Sequence, residues 1–182
     1  MRVGRRAAGT VLICSLVTTA VLGTALPAEG QGDTALDRGG FTMLVNAGVG
    51  FQHDSALGDS FERGFAGVNL GIGGFLTRNV SLVFRLSSTS RDSQGSGVGG
   101  PAVQVWLSDR FHVESGGGVG WWDAHGFPGA SSDPAFGLIF GAGYALWGRG
   151  RHTLRLGVEY APAFTQPETV HNVGISIGWQ LL

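Results

Sequence analysis

Lysine is absent from this 182-residue chain, cysteine occurs once, and charged residues make up only 14% of it. All twelve basic residues are arginine, and Arg2, Arg5 and Arg6 fall within the first six positions. The other nine arginines face thirteen acids, a net charge of about −4 with no basic stripe, which argues against a nucleic-acid partner. The lone Cys14 sits in an N-terminal apolar run, so an exported chain that has lost this run carries no thiol. Disulfides, thiolate metal sites and cysteine nucleophiles go with it. So low a charge also argues against an ordinary soluble surface, usually about a quarter to a third ionic. Hydrophobic residues at 43% argue against disorder. Long helix-period segments are missing too, because glycine and β-branched residues interrupt every candidate. What is abundant is glycine, at 33 positions, without the Gly-X-Y period of collagen.

The N-terminus reads as an export signal over 1–28. A basic n-region is followed by an uncharged, mostly apolar stretch from Ala7 to Leu26 and by small residues at Gly23, Ala25 and Ala28. Cleavage is expected after Ala25 or Ala28. The competing reading is an uncleaved anchor helix, which the length permits. Against it stand five polar residues, Thr10, Ser15, Thr18, Thr19 and Thr24, and the helix-breaking Pro27. A short N-terminal segment (29–39) then leads into one domain over 40–182.

That domain alternates with a period of two in eight windows: Phe41–Gln52, Phe65–Leu76, Val80–Ser88, Gly100–Leu107, Phe111–Trp121, Ala135–Leu146, His152–Tyr160 and His171–Leu181. Each is about the length of a tilted strand that crosses a bilayer. Longer Gly/Ser/Asp/Pro-rich connections (52–64, 89–99, 122–134, 161–170) alternate with tight turns (77–79, 108–110, 147–151). Short turns demand antiparallel neighbours, since a parallel crossover needs a dozen or more residues. The fold expected is all-β: a closed eight-stranded antiparallel up-and-down transmembrane β-barrel.

The contents of the two phases decide which face meets lipid. Eleven of the thirteen aromatics in the windows are taken as outward, and only Phe75 and Trp106 as inward. The outward rings gather at two heights: Phe51, Phe65, Trp121, Phe136 and Tyr160 at the long-loop ends, and Phe41, Phe111, Tyr144 and Trp179 at the short-turn ends. These are the two belts expected at lipid interfaces. The charged residues of the windows, Arg85, Glu114, Arg155 and Glu159, fall on the inward phase with His112, Gln104 and most glycines. A soluble barrel would invert this arrangement, and a soluble β-sandwich would explain the alternation but not the belts.

The stretch Gly71-Ile72-Gly73-Gly74-Phe75-Leu76-Thr77-Arg78-Asn79-Val80-Ser81-Leu82 and the terminal strand Val173-Gly174-Ile175-Ser176-Ile177-Gly178-Trp179-Gln180-Leu181-Leu182 resemble the periplasmic hairpin and assembly signal of small outer-membrane β-barrels of the OmpA/OmpX type, grouped as porin-like β-barrel domains. One departure is that this chain ends in two leucines where that family commonly ends in an aromatic. The resemblance implies a bacterial outer-membrane location in a lipopolysaccharide-bearing bilayer. It also implies delivery by the barrel-assembly machinery and no cofactor. The extracellular partner is not legible.

The lumen charges suggest an internal plug in which Glu114 bridges Arg155 and Arg85 while Glu159 serves the upper lumen. The expected role is structural or surface-interacting, with at most a narrow pore and no catalysis. Two alternatives stand beside it: a lipid A acyl hydrolase or transferase using His171 with Thr169 or Ser176, and a soluble periplasmic barrel binding a small ligand. His53, Asp54 and Asp59, and likewise His125, Asp123 and Asp133, offer metal-ligand types without a strong spacing, so no metal site is expected.

Overall fold

A computed structural model describes residues 36–54, 62–91, 94–123, 133–165 and 169–182, and the expected leader lies outside them. Nine strands follow in chain order: β1 (Phe41–Asp54), β2 (Glu62–Thr77), β3 (Val80–Arg91), β4 (Gln94–Trp106), β5 (Phe111–Asp123), β6 (Ala135–Arg149), β7 (His152–Tyr160), the two-residue β8 (Ala163–Phe164) and β9 (Val170–Leu181). All pairings are antiparallel. Consecutive long strands are neighbours, and β1 pairs with β9 from Met43 with Leu181 to Asp54 with Val170, closing a ring of eight strands. Among the described residues this pairing leaves neither the first nor the last long strand as a sheet edge.

The period of two in the sequence becomes the two faces of this wall. Along β7, Thr153, Arg155 and Gly157 are buried while His152, Leu154, Leu156 and Val158 are exposed. The exposed large apolar side chains include Ile72, Phe84, Val119, Ile175 and Ile177, all on the outer face.

Several strands run further than their windows. Arg91 pairs with Gln94, so the connection expected over 89–99 is largely strand, with only 92–93 between β3 and β4. Its small polar residues hide the alternation, yet Ser87, Thr89, Ser96 and Val98 all point inward and are buried. Part of the 161–170 connection is also strand. Pro162 has no N–H to extend the β7 ladder, while its carbonyl accepts from the Leu138 amide at 3.0 Å. The chain then resumes as β8, pairing Phe164 with Phe136 and Ala163 with Gly137 and Val170. β6 reaches Arg149, so Trp147, expected in a turn, lies on the strand.

Two local features adjust the phase. Between Ala66 and Leu70 the β2–β3 register shifts, and the extra residue in β2 lets Phe65 face outward while Asn69 and Gly71 face inward. Strict alternation would have put all three on one face. In β6 a shift between Ala145 and Trp147 leaves both Leu146 and Trp147 exposed.

Glycine is required where β4 and β5 approach. A Cβ on Gly100 would stand 2.7 Å from the Gly118 Cα, and one on Gly118 would stand 2.7 Å from the Gly100 Cα. With the inner face of β5 bare at this level, Val98 of β4 reaches across to Gly137 of β6. Val98, Ile139, Ala161 and Ala163 form a small apolar cluster on that wall.

Candidate functional site: the sealed lumen and its two rims

The six polar lumen residues of the sequence reading, Arg85, Glu114, Arg155, Glu159, His112 and Gln104, all lie on the inner face, and five of them are buried with Glu159 intermediate. Their connectivity differs from the expected plug in its centre. Arg85, not Glu114, is the bridge. Its Nε lies 2.6 Å from Glu114 Oε1, off the line of a hydrogen bond, so that contact is ionic. Its Nη2 lies 2.5 Å from Glu159 Oε2. Both carboxylates are spoken for a second time, Glu114 by Gln104 Nε2 at 3.1 Å and Glu159 by Asn69 Nδ2 at 3.2 Å and the Ser87 hydroxyl. The reason for the altered centre is reach. Arg85, on β3, is placed to meet β5 and β7 across the narrow lumen, as expected where eight strands leave just enough room for side chains to fill.

Arg155 makes no ion pair among the described residues. Instead its Nη1 donates to Gln180 Oε1 at 2.9 Å, and Gln180 Nε2 donates to Gln104 Oε1 at 2.9 Å and to the Thr42 hydroxyl at 3.3 Å. Two formal positive and two formal negative charges thus sit in one enclosure. Their sum is zero. A matched set suits the lumen because an unpaired ion there would carry a desolvation cost of several kcal/mol.

His112 is fully buried and packs at a tilt of 38° against Trp106 with ring centroids 4.6 Å apart, and its two ring nitrogens have no hydrogen-bond partner among the described residues. Beneath them the segment Leu36–Gly40 crosses the short-turn opening. Arg38 lies 4.9 Å from the Trp106 ring, pairs with Asp109 at 2.7 Å and donates to Asn79 Oδ1 at 3.3 Å. Burial pulls the Arg38 guanidinium below its usual value, and Asp109 opposes the shift. The Asp37 amide donates to the Gly150 carbonyl, so this segment touches all three short turns. Arg151 closes the same end, donating to the carbonyls of Gly39 and Phe41, each at 2.6 Å, and to the Leu182 carbonyl. No motif marks Arg38 or Arg151 in the sequence. The only signal is positive charge beside a turn or a strand start.

The expected interface aromatics Phe41, Phe65, Phe111, Phe136, Tyr144 and Tyr160 are exposed on the outer face, and Phe51, Trp121 and Trp179 are partly covered there. Trp121 lies over Gly97, which has no side chain to lift the ring from the wall. Trp147 joins the short-turn belt, a position hidden from the sequence by the β6 shift.

Of the two candidate catalytic pairs, His171 with Ser176 does not assemble. His171 is on the outer face, where Nδ1 bonds the Tyr160 hydroxyl at 2.8 Å and the ring stacks at 6.0 Å on His53, while Ser176 is buried in the lumen. Asp59 and His125 lie outside the described residues. Among the described residues no three His, Cys, Asp or Glu side chains gather as metal ligands.

No family model matches the chain, and no curated protein matches it. Solved structures do. Neisserial surface protein A (NspA) is 15% identical over 78% of this chain and 96% of its own length, with a TM-score of 0.56. Ail, the attachment invasion locus protein of Yersinia pestis, is 13% identical over 79% of this chain and 99% of its own, with a TM-score of 0.52. Ail in complex with the heparin analogue sucrose octasulfate gives 0.51 at 14% identity. These neighbours are small outer-membrane β-barrels, and the architecture of this chain is theirs: an eight-stranded antiparallel up-and-down ring.

Proposed function

We propose that this chain is an integral bacterial outer-membrane β-barrel with a structural or surface-interaction role, its lumen filled by side chains and passing at most water-sized solutes. The observation that carries the reading is the opposition of the two faces. Inside, Glu114, Arg85 and Glu159 form an enclosed ion chain. Outside, Ile72, Val158, Ile175 and Ile177 are each at least half exposed between two belts of rings. In water this outer face would be a large aggregation-prone patch, whereas in hydrocarbon it is the favourable surface. Both ends of the barrel sequence lie with the short turns, which we place in the periplasm.

Among the described residues the long-loop end, the proposed cell-surface end, carries Asp54, Glu62, Asp123 and Asp133 against Arg63 and Arg91. Such a rim favours neutral or cationic partners over a polyanionic ligand like the sulfated sugar in the Ail complex.

Membrane fractionation combined with electrophoresis of unheated and boiled detergent samples tests the reading. The protein should sit with the outer membrane and migrate differently when unheated. Recovery in the periplasmic supernatant with a single mobility would overturn it.

A further inference from the structure

The short-turn rim carries five arginines, and they divide into two sets. Arg38 and Arg151 are spent on the fold, in the ion pair with Asp109 and on the carbonyls of Gly39, Phe41 and Leu182. The other three, Arg78, Arg110 and Arg149, are exposed, and their guanidinium groups have no hydrogen bond or ion pair among the described residues. They fall one to each short turn or strand end beside it, at two-strand intervals around the ring, while the chain ends, which the Arg151 side chain reaches from the third turn, occupy the fourth interval. Each stands within two residues of an exposed large apolar side chain: Leu76 (68% exposed) before Arg78, Phe111 after Arg110, and Trp147 (56% exposed) before Arg149.

We infer that these three arginines form an annular binding site for the phosphate groups of anionic phospholipids in the leaflet on the short-turn side. The inference rests on the membrane reading above and deepens it. Three arguments carry it. An arginine stem lies along apolar surface while its head seeks the polar layer, so a guanidinium one or two residues beyond a lipid-facing Leu, Phe or Trp is set at headgroup depth. Arginine also matches phosphate oxygens bidentately, which a zwitterionic headgroup partly cancels with its own cation. Finally, the charges are spread around the rim and not gathered on one side. A protein partner would approach from one side, whereas lipid surrounds the barrel. Charge complementarity points the same way: the rim holds Asp37 and Asp109 as its only acids among the described residues, and Asp109 is already paired.

The test uses the protein isolated from membranes, exchanged into mixed micelles with equal phosphatidylglycerol and phosphatidylcholine, with retained lipids counted by native mass spectrometry. Wild-type barrel should retain phosphatidylglycerol in roughly threefold or greater excess. The triple variant Arg78→Gln, Arg110→Gln, Arg149→Gln should retain the two lipids equally. Each single variant should lose part of the preference, which keeps the test open if the triple variant fails to fold. Excess inorganic phosphate should leave the wild-type ratio unchanged. A ratio collapsed by inorganic phosphate, or an equal ratio in wild type, or an undiminished ratio in the variants, would sink the inference. A barrel that shows the unheated mobility shift yet has no lipid preference defeats this inference alone, while one that never enters a membrane defeats the functional reading with it.

Discussion

Two arginine–carboxylate contacts of nearly equal length sit in different surroundings. In the lumen Arg85 meets Glu114 at 2.6 Å with both side chains 2% exposed, and at the floor Arg38 meets Asp109 at 2.7 Å with the aspartate 51% exposed. Distance does not separate them; water does. At the floor Arg38 is covered but Asp109 opens to solvent, which screens the pair in part, and such half-exposed contacts are worth about 1 kcal/mol. In the lumen both partners are almost wholly buried, so removing one ion strands the other, at about 3–5 kcal/mol. The floor pair fastens a segment across an opening.

The sharpest way to break this contrast is Arg85→Met, which leaves Glu114 and Glu159 buried without their shared cation. A loss of about 3–5 kcal/mol is expected, read as failure to regain the unheated mobility after refolding. Adding Glu114→Gln and Glu159→Gln to that variant should recover a large part of the loss, because the triple change removes the charges together. No recovery would mean that packing, not charge pairing, dominates the site.

A third environment sharpens the same comparison. Val158 faces outward at 51% exposure, and Val158→Arg should cost about 2–4 kcal/mol if that surface meets hydrocarbon. A soluble wall would accept the change within about 0.5 kcal/mol, as measured by urea unfolding. Gly118→Ala tests the backbone approach of β4 and β5. Forcing a Cβ against the Gly100 backbone should destabilise by about 1–3 kcal/mol, visible as a lower unfolding midpoint. The smallest effect belongs to Asp109→Asn, expected to cost about 1 kcal/mol or less in the same assay and to weaken further in its consequence at high salt.

Much of the fold was legible because the barrel wall repeats one rule. The outward phase of Phe41 to Phe51 and of His152 to Tyr160 needs only a period of two. Strict alternation breaks where the backbone inserts a residue: only the β2 shift lets an outward Phe65 share a strand with inward Asn69 and Gly71, and the β6 shift exposed Trp147 beside Leu146. It also fell silent between Thr89 and Gly99, where small polar side chains build a strand with no apolar face to announce it. Inner-face membership of Arg85, Glu114, Arg155 and Glu159 could be read from phase. Who bonds whom could not, since partners on β3, β5 and β7 are set by strand stagger around a closed ring.

By itself the sequence determined that an alternating, glycine-rich chain must expose its rings and enclose its ions, because side-chain direction on a strand follows directly from position. Only the tertiary structure decided that Arg85 is the hub, that Arg155 turns to Gln180, and that Arg38 closes the floor. Those choices depend on distances across an enclosed space of a few side chains' width, and such distances exist only once the ring has shut.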